Sequence, residues 1–283
     1  MEEILFGPSG NSKLFYDLGY KSSLQAPAWL KSLGLNAYEY SFGKGYIMGS
    51  EKAAELGKVA LENGITMSIH APYYINFANE SEEMVEKSYG YVLTGLKFLK
   101  LMGGKHLVFH AASQGKLSRE RALELTRNRL EILAKKVKEN GFGNLTLCPE
   151  TMGKPMQIGT YEEIIDICTV DEIYVPTFDF GHIYALNLGN FGTYEDYRKV
   201  FELAIEKLGF ERASNCHIHF SMIEYGGKGE VRHLNFDNGQ YGPNFEPLMK
   251  AIKDLGLKPM IICESRDNMA TDALALKNAF ERA

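Results

Sequence analysis

The chain has 283 residues, 45% of them hydrophobic and 24% charged, a balance typical of a globular protein with a sizeable core. Its net charge of −5 argues against a surface that binds polyanions in general, although a local basic patch would not show in this sum. No apolar stretch approaches the roughly 20 residues that span a bilayer, so we predict no membrane contact.

The cysteines and the start of the chain both favour an intracellular protein. The four cysteines show no CxxC spacing, and three of them lie within predicted buried strands, where a free thiol behaves as a small hydrophobic group. Reduced thiols fit a reducing compartment. The opening sequence MEEILFGPSG lacks the basic start and apolar run of a signal peptide. We therefore predict a cytoplasmic location.

Short apolar runs alternate with longer amphipathic runs along the whole chain. The apolar runs have the length of buried strands and lie at residues 4–7, 37–42, 65–70, 106–110, 145–150, 174–179, 215–221 and 259–265. The amphipathic runs predict helices at residues 23–33, 50–63, 81–101, 118–140, 160–168, 193–208, 244–255 and 268–282. A Gly-rich, polar loop is predicted over residues 224–243.

This alternation predicts the fold class. Strands joined by helices must run parallel, and eight of them are the number that closes a barrel. We therefore predict an α/β fold, a (β/α)8 TIM barrel that forms a single domain over residues 1–283. An open, doubly wound sheet is the alternative, but it would place fewer strand ends around one pocket. In such a barrel the active site lies at the C-terminal ends of the strands.

Potential metal ligands stand at the C-terminal ends of six predicted strands: His70, His110, Glu150, Asp179, His217 and Glu264. His182 follows three residues after Asp179, and His233 lies in the long polar loop. Carboxylates and imidazoles without thiolates favour Zn²⁺, Mn²⁺ or Fe²⁺. Because these ligands outnumber those that one ion needs, we predict more than one ion, with Glu150 or another carboxylate as a bridge.

Structural roles are the alternative for each of these residues. A buried histidine is often a satisfied core residue, and Asp179 could cap a helix. The carboxylates could instead pair with Arg or Lys across the barrel mouth, since an unpaired carboxylate there would carry a large desolvation cost. The recurrence of such residues at six strand ends favours the metal centre.

Four segments resemble the endonuclease IV family of metal-dependent apurinic/apyrimidinic-site endonucleases, within the xylose isomerase-like barrels. They are HAPYYIN from His70, VFHAAS around His110, ETMG from Glu150, and FDFGHIYA around Asp179 and His182. The resemblance extends over nearly the whole chain. It implies a (β/α)8 barrel with three zinc ions that cleaves the DNA backbone 5′ to an abasic site.

Carried over by position, the resemblance implies a set of residues for each ion. His70, His110 and Glu150 would hold the first ion. Glu150 as a bridge, with Asp179, His217 and Glu264, would hold the second, and His182 with His233 the third. The resemblance further implies Glu150, Asp179 and Glu264 as catalytic residues and a metal-bound hydroxide as nucleophile. It implies Tyr73 as an aromatic side chain that reaches into the DNA near the lesion.

Two positions depart from the pattern of that family. The family places an aspartate two residues before its last histidine, whereas this chain has Val231 there. Glu230 or Glu224 could substitute if the loop bends differently. His219, two residues after His217, is either an additional ligand or a residue that shapes the pocket. By this comparison the first two sites are complete, and the third lacks its usual aspartate.

We therefore predict a monomeric hydrolase of the endonuclease IV type that binds two or three Zn²⁺ ions, with Mn²⁺ or Fe²⁺ as alternatives, and acts on DNA containing abasic sites. The alternative is a sugar isomerase or epimerase resembling xylose isomerase, in which one divalent ion is held by two glutamates, an aspartate and a histidine. Glu150, Asp179, His217 and Glu264 are the same set. Such an enzyme moves a proton next to a carbonyl. A non-catalytic metal-binding protein is a third hypothesis.

Overall fold

A computed structural model describes residues 3–283; residues 1 and 2, which open the segment predicted to lack a signal peptide, lie outside the described residues. The strands are β1 (Leu5–Pro8), β2 (Ala37–Ser41), β3 (Thr66–His70), β4 (His106–Phe109), β5 (Ala112–Ser113), β6 (Thr146–Pro149), β7 (Gln157–Ile158), β8 (Thr177–Asp179), β9 (His217–Phe220), β10 (Met222–Gly226), β11 (Gly229–Leu234) and β12 (Met260–Cys263). The helices are α1 (Lys13–Asp17), α2 (Ala26–Ser32), α3 (Ser50–Glu62), α4 (Glu82–Leu101), α5 (Arg119–Glu139), α6 (Tyr161–Cys168), α7 (Phe180–Leu186), α8 (Tyr194–Leu208), α9 (Phe210–Ser214), α10 (Glu246–Asp254) and α11 (Met269–Arg282), with 3-10 turns at Ser23–Gln25 and Phe236–Asn238.

Eight parallel strands form the barrel, which confirms the predicted fold class. Two four-stranded sheets have the orders β1-β12-β9-β8 and β2-β3-β4-β6. Parallel bridges close both gaps between the sheets, one from Ser9 to Glu39 and one from Glu150 to Thr177. Each of the eight predicted strands corresponds to one of these barrel strands. Their C-terminal ends therefore meet at one mouth, as predicted.

The outer helices are positioned by sequence signals at their ends. Thr160 accepts a hydrogen bond from the backbone N–H of Glu163 at the start of α6, and the Glu163 carboxylate accepts one from the N–H of Thr160 in return. At the C-terminal end of α3, Gly64 has a φ of +69°, the left-handed conformation that ends a helix and that glycine adopts without steric cost. The predicted long helices are confirmed to within a few residues.

A β-hairpin occupies part of the segment that was predicted to be a loop at 224–243, so that prediction is wrong. β10 and β11 pair antiparallel, and Gly229, with a φ of +88°, supplies the left-handed residue that closes the turn. Three glycines within residues 226–229 suggest a flexible loop, but here they form the tight turn that joins β10 to β11. The hairpin lies between β9 and α10, where it projects over the mouth of the barrel.

No described helix is both long and apolar enough to cross a membrane, which agrees with the apolar runs of the sequence. The four cysteines are buried free thiols. Burial raises the pKa of Cys263 to about 12, so this thiol stays protonated at neutral pH. The reading of the cysteines as reduced, inert core residues fits this environment.

Candidate metal centre

The C-terminal ends of the barrel strands and the hairpin enclose a cavity of about 440 Å³. Seven of the eight predicted ligands lie in or beside it: His70, His110, Glu150, Asp179, His182, His233 and Glu264. A larger cavity of about 1220 Å³ lies at the opposite end of the barrel, among residues such as Lys58, Leu61 and Lys105. Its lining has no cluster of metal-ligating side chains among the described residues, so we place the site in the smaller cavity.

Glu150 is the central carboxylate of this cavity and is fully buried. Its Oε2 lies 3.1 Å from Nε2 of His70 and 3.1 Å from Nε2 of His110. Its Oε1 lies 2.9 Å from Nδ1 of His219. The two oxygens therefore face different histidines, Oε2 towards His70 and His110 and Oε1 towards His219.

Asp179 combines the structural and the functional alternatives that the sequence left open. Its Oδ1 accepts a hydrogen bond of 2.7 Å from the backbone N–H of His182, which caps α7. Its Oδ2 is buried and has no hydrogen-bond partner among the described residues, although Nδ1 of His182 lies 3.4 Å away. A buried carboxylate oxygen without a partner is costly, which points to a cation beside it.

Three histidines turn the same ring nitrogen towards the cavity. Nδ1–H of His70 donates to the carbonyl of Ala71 at 2.8 Å, and Nδ1–H of His182 donates to the carbonyl of Thr151 at 2.9 Å. Nδ1 of His233 lies 3.1 Å from the carbonyl of Glu264. Nδ1 of His233 also lies 2.9 Å from the hydroxyl of Ser221. When His70 and His182 are neutral, as metal binding requires, their single N–H lies on Nδ1 and the Nε2 lone pair faces the cavity.

Glu230 lies with His182 and His233 in the third group, and it is one of the two substitutes for the missing aspartate that the sequence left open. Oε2 of Glu230 lies 3.6 Å from Nε2 of His182, and Oε1 lies 3.9 Å from Nε2 of His233. Residues three apart on a regular strand face opposite sides. A bulge restores the common face, because Arg232 pairs with Glu224 and Glu230 with Tyr225, so that Val231 is the extra, exposed residue.

His217 is not in the second group, where the resemblance had placed it, and His219 occupies that position. Both histidines face the barrel interior because they are two residues apart on β9. His219 is nearer the C-terminal end, with Nδ1 2.9 Å from Oε1 of Glu150 and 3.6 Å from Oε2 of Glu264. His217 lies one layer deeper, with Nε2 3.2 Å from Glu39. The alternation and the direction of the strand were the signals that favour His219.

The electrostatics of the cavity favour a cation. Burial would raise the pKa of Glu150, but His219, His110 and His70 outweigh it and hold that pKa well below its usual range. Burial would lower the pKa of His70, yet Glu150 raises it to about 9, whereas burial lowers the pKa of His110. A proton shared between imidazole and carboxylate thus occupies the place that a divalent ion would take, and ion binding would release it.

The donor set fits divalent transition metals. Within residues 3–283, four groups of His, Asp and Glu side chains have ligand atoms within 4.8 Å of one another, and three of them line the mouth: His70, Glu150 and His219; Glu150, Asp179, His219 and Glu264; and His182, Glu230 and His233. Nitrogen and carboxylate ligands without sulfur suit Zn²⁺, Mn²⁺ or Fe²⁺. Oδ2 of Asp179 has no hydrogen-bond partner among the described residues, while the opposite atoms of Asp179, His70 and His182 are hydrogen-bonded to the backbone. Metal ligands are commonly oriented in this way.

Five residues of the cavity lining lie outside these groups: Tyr73, His110, Met152, Lys154 and Gln157. The ring of Tyr73 is 60% exposed and lies 5.4 Å from the ring of His110. Nζ of Lys154 lies 3.9 Å from Glu230, and the side chain is half-exposed. Oε1 of Gln157 is buried without a hydrogen-bond partner among the described residues. Tyr73 was predicted from the sequence, whereas Lys154 and Gln157 were not, because lysine and glutamine are common on any surface.

Comparison with known proteins places the chain among barrels of this kind. The family model described as xylose isomerase-like TIM barrel matches residues 27–281. An uncharacterised protein of Methanocaldococcus jannaschii is 34% identical over 262 residues, which cover 93% of this chain and 92% of that protein. A probable endonuclease 4 of Mycoplasma genitalium is 29% identical over 233 residues, which cover 80% of this chain and 75% of the relative.

Solved structures with the same fold include two kinds of enzyme. Endonuclease IV from Thermus thermophilus has a TM-score of 0.68 at 20% identity and covers 99% of this chain and 100% of its own. D-Psicose 3-epimerase from Clostridium cellulolyticum has a TM-score of 0.67 at 14% identity and covers 93% of each chain. At these identities the likeness shows the fold and does not choose between the two activities.

Proposed function

We propose that this chain, which belongs to the xylose isomerase-like TIM barrel family, is a metal-dependent phosphodiesterase of the endonuclease IV type that cleaves DNA 5′ to abasic sites. The relatives that are named probable endonuclease 4 support this assignment. The observation that carries it is the third ligand group, His182, Glu230 and His233, beside the two groups that share Glu150.

Three neighbouring groups, each of which could hold an ion, favour the hydrolysis of a phosphodiester over a reaction that uses one ion. Ions held at them would supply Lewis acidity at the phosphoryl oxygens and lower the pKa of bound water. The chain's own contribution is to fix the geometry. Glu150 spans two groups with its two oxygens, Asp179 is held by the first turn of α7, and carbonyl acceptors orient the rings of His70 and His182.

The rim of the cavity offers contacts that suit a nucleic acid. The exposed ring of Tyr73 stands beside His70 and His110 and presents an apolar face to a sugar or base. Lys154, half-exposed at the same rim, is a cation within reach of a phosphate that enters the cavity. Aromatic stacking and a positive charge are the usual means by which proteins hold an unstacked nucleotide.

A sugar isomerase or epimerase is the second candidate. The group of Glu150, Asp179, His219 and Glu264 contains the two glutamates, one aspartate and one histidine that such an enzyme needs around one ion. A cavity of about 440 Å³ also accommodates a monosaccharide. This reading assigns no role to Glu230 and His233, which is why we rank it second.

Incision of a duplex oligonucleotide with a single abasic site tests the proposal. Protein loaded with Zn²⁺ or Mn²⁺ is expected to cut 5′ to the lesion, and Glu264→Gln is expected to reduce the rate by about 10²-fold or more, because metal-borne charge stabilisation contributes several kcal/mol. Glu224→Gln is the control for the loss of a carboxylate near the mouth, since Glu224 lies on the hairpin that carries Glu230 but pairs with Arg232.

Glu230→Gln then separates the two candidates. An endonuclease is expected to lose most of its activity in this variant, whereas an isomerase that uses one ion is expected to keep it. The absence of incision by wild-type protein that demonstrably holds metal would refute the nuclease assignment. Isomerisation of ketoses by the same preparation would then support the second candidate.

A further inference from the structure

His219 is oriented differently from the other histidines of the metal centre. His70 and His182 each direct Nδ1–H at a main-chain carbonyl and keep Nε2 for the cavity. His219 directs Nδ1 at the cavity, 2.9 Å from Glu150, so its Nε2 faces the barrel interior. At that position Nε2 lies 3.0 Å from Oε1 of Glu39 on β2.

Glu39 is a fully buried carboxylate in the middle of a barrel strand. Its oxygens face one histidine each, since Oε1 lies beside His219 and Oε2 lies 3.2 Å from Nε2 of His217. The hydroxyls of Ser68 and Ser9 donate to Oε2 and Oε1 at 3.0 Å and 3.3 Å. Burial would raise the pKa of Glu39, but His219 and His217 hold it well below its usual range.

We propose that Glu39 is the positioning residue of His219. It accepts a hydrogen bond from the Nε2–H of this ring, which leaves the Nδ1 lone pair for the ion shared with Glu150 and Glu264. This inference rests on the proposed metal centre. Glu39 has the role that the carbonyls of Ala71 and Thr151 have for the other two rings. A carboxylate is a stronger acceptor than a carbonyl, and it also increases the basicity of the ring towards the metal.

The deeper residues hold Glu39 in place. Nδ1 of His217 lies 3.1 Å from Nδ1 of His106 on β4, so one of these two nitrogens donates to the other. Burial lowers the pKa of His106 to about 3, which keeps that ring neutral. With the Nδ1–H of His106 donating, His217 carries its own proton on Nε2 and presents it to Glu39. With that donor, each ring between His106 and Glu150 has one defined tautomer.

The contacts of Nε2 with Glu39 have the distance of a hydrogen bond but not its alignment, so neither His217 nor His219 has an aligned Nε2 partner among the described residues. An unpaired buried N–H is costly, and the oxygens of Glu39 lie within reach of both rings after a small rotation. A cation between Glu39, His217 and His219 would satisfy the same atoms in another way. The two arrangements differ in the number of bound ions and in the proton on His219.

Histidine tautomers and metal binding in the Zn²⁺-loaded, full-length protein test the proposal. Long-range ¹⁵N–¹H spectra of the imidazole rings are expected to show His219, assigned from a His219→Gln spectrum, with its proton on Nε2 and its Nδ1 bound to metal. Glu39→Gln is expected to weaken the binding of one Zn²⁺ by about 10- to 100-fold in competition with a chelator, the usual effect of losing such a partner. Glu224→Gln, which removes a carboxylate that pairs with Arg232 and belongs to none of the ligand groups, is expected to bind Zn²⁺ like the wild type.

Several results would overturn the proposal. One is a wild-type spectrum with the His219 proton on Nδ1, a readout that does not require Glu39→Gln to fold. A second is unchanged Zn²⁺ affinity in folded Glu39→Gln. A third is the loss of a whole equivalent of Zn²⁺ from that variant while the ion bound to His219 Nδ1 remains, which would indicate an ion in the interior. None of these readouts depends on DNA cleavage, so failure of this proposal can be distinguished from failure of the proposed endonuclease activity.

Discussion

The replacement Gly153→Ala is expected to damage the third ligand group selectively. A Cβ at this position would lie 2.8 Å from Cβ of Glu230 and 3.1 Å from both Oε2 of Glu230 and Cδ2 of His182. Ordinary contacts begin near 3.4 Å, so the hairpin would have to move by 3.4 − 2.8 = 0.6 Å. Metal–ligand distances tolerate only about 0.2 Å. The loss of one ion per chain is therefore expected.

The hairpin has little freedom to absorb this shift. The backbone N–H of Glu230 donates to the carbonyl of Gly153 at 2.9 Å, so the two segments are held together at the point of contact. Overpacking of this kind costs roughly 1–3 kcal/mol of stability. We expect Gly153→Ala to fold with a lower melting temperature and an affinity for the third ion that is reduced at least about 10-fold.

Metal content after dialysis and a chelator competition measure the effect. Gly226→Ala is the matched control, because Gly226 lies in the same hairpin and its added Cβ would meet only Val231, at 3.8 Å. That variant is expected to retain every ion. If Gly153→Ala binds metal and incises DNA like the wild type, the assignment of Glu230 to the third group is wrong.

Three further predictions concern stability. Gly90→Ala, at an exposed position of α4 with open space around the added Cβ, is expected to stabilise the protein by about 0.5–1 kcal/mol, measured by thermal unfolding. The buried His106, with its pKa lowered from 6.5 to about 3, is neutral in the folded state. Below pH 6.5 the unfolded state therefore binds one more proton at His106 than the folded state. The stability that the neutral ring contributes is complete above pH 6.5 and is lost as the pH falls towards 3, with a slope of up to about 1.4 kcal/mol per pH unit. Urea unfolding at pH 5 and 7 should show a smaller pH dependence in His106→Gln. Chelation by EDTA should lower the melting temperature, and Zn²⁺ should restore it. An ion at about 100 times its Kd stabilises the folded state by about 2.7 kcal/mol, and it would satisfy Oδ2 of Asp179. A melting temperature that EDTA does not change would contradict the metal centre.

The barrel was predictable because its strands are short apolar runs, which leave a strong signal in the sequence. The mouth was largely predictable for the same reason, since a polar residue that ends such a run must lie there. Glu39 was not identified because it lies in the middle of its run, and nothing in AYEYSF states which face points inward. His217 was chosen over His219 because two alternate residues share a face and only the end of the strand separates them.

For the third group, the sequence indicated His182 and His233 but did not decide between Glu230 and Glu224 as the carboxylate. A spacing of three between Glu230 and His233 excludes a common face on a regular strand, and a bulge is a property of the pairing between strands. The partner strand lies in a segment whose glycines favour a loop, so neither the pairing nor its irregularity was visible. Only the alternation of MIEYG and GEVRHL remained as a weak signal.

The placement of these ligands also has an evolutionary consequence. Glu230 and His233 belong to an excursion between β9 and α10, whereas Glu150 and Glu264 stand directly at the ends of barrel strands. A deletion of the hairpin would therefore leave an intact barrel with its inner ligands, and an insertion could supply the third group to a barrel that lacks it. A change confined to the hairpin would thus add or remove two side chains at the mouth, while the strands of the barrel remain unchanged.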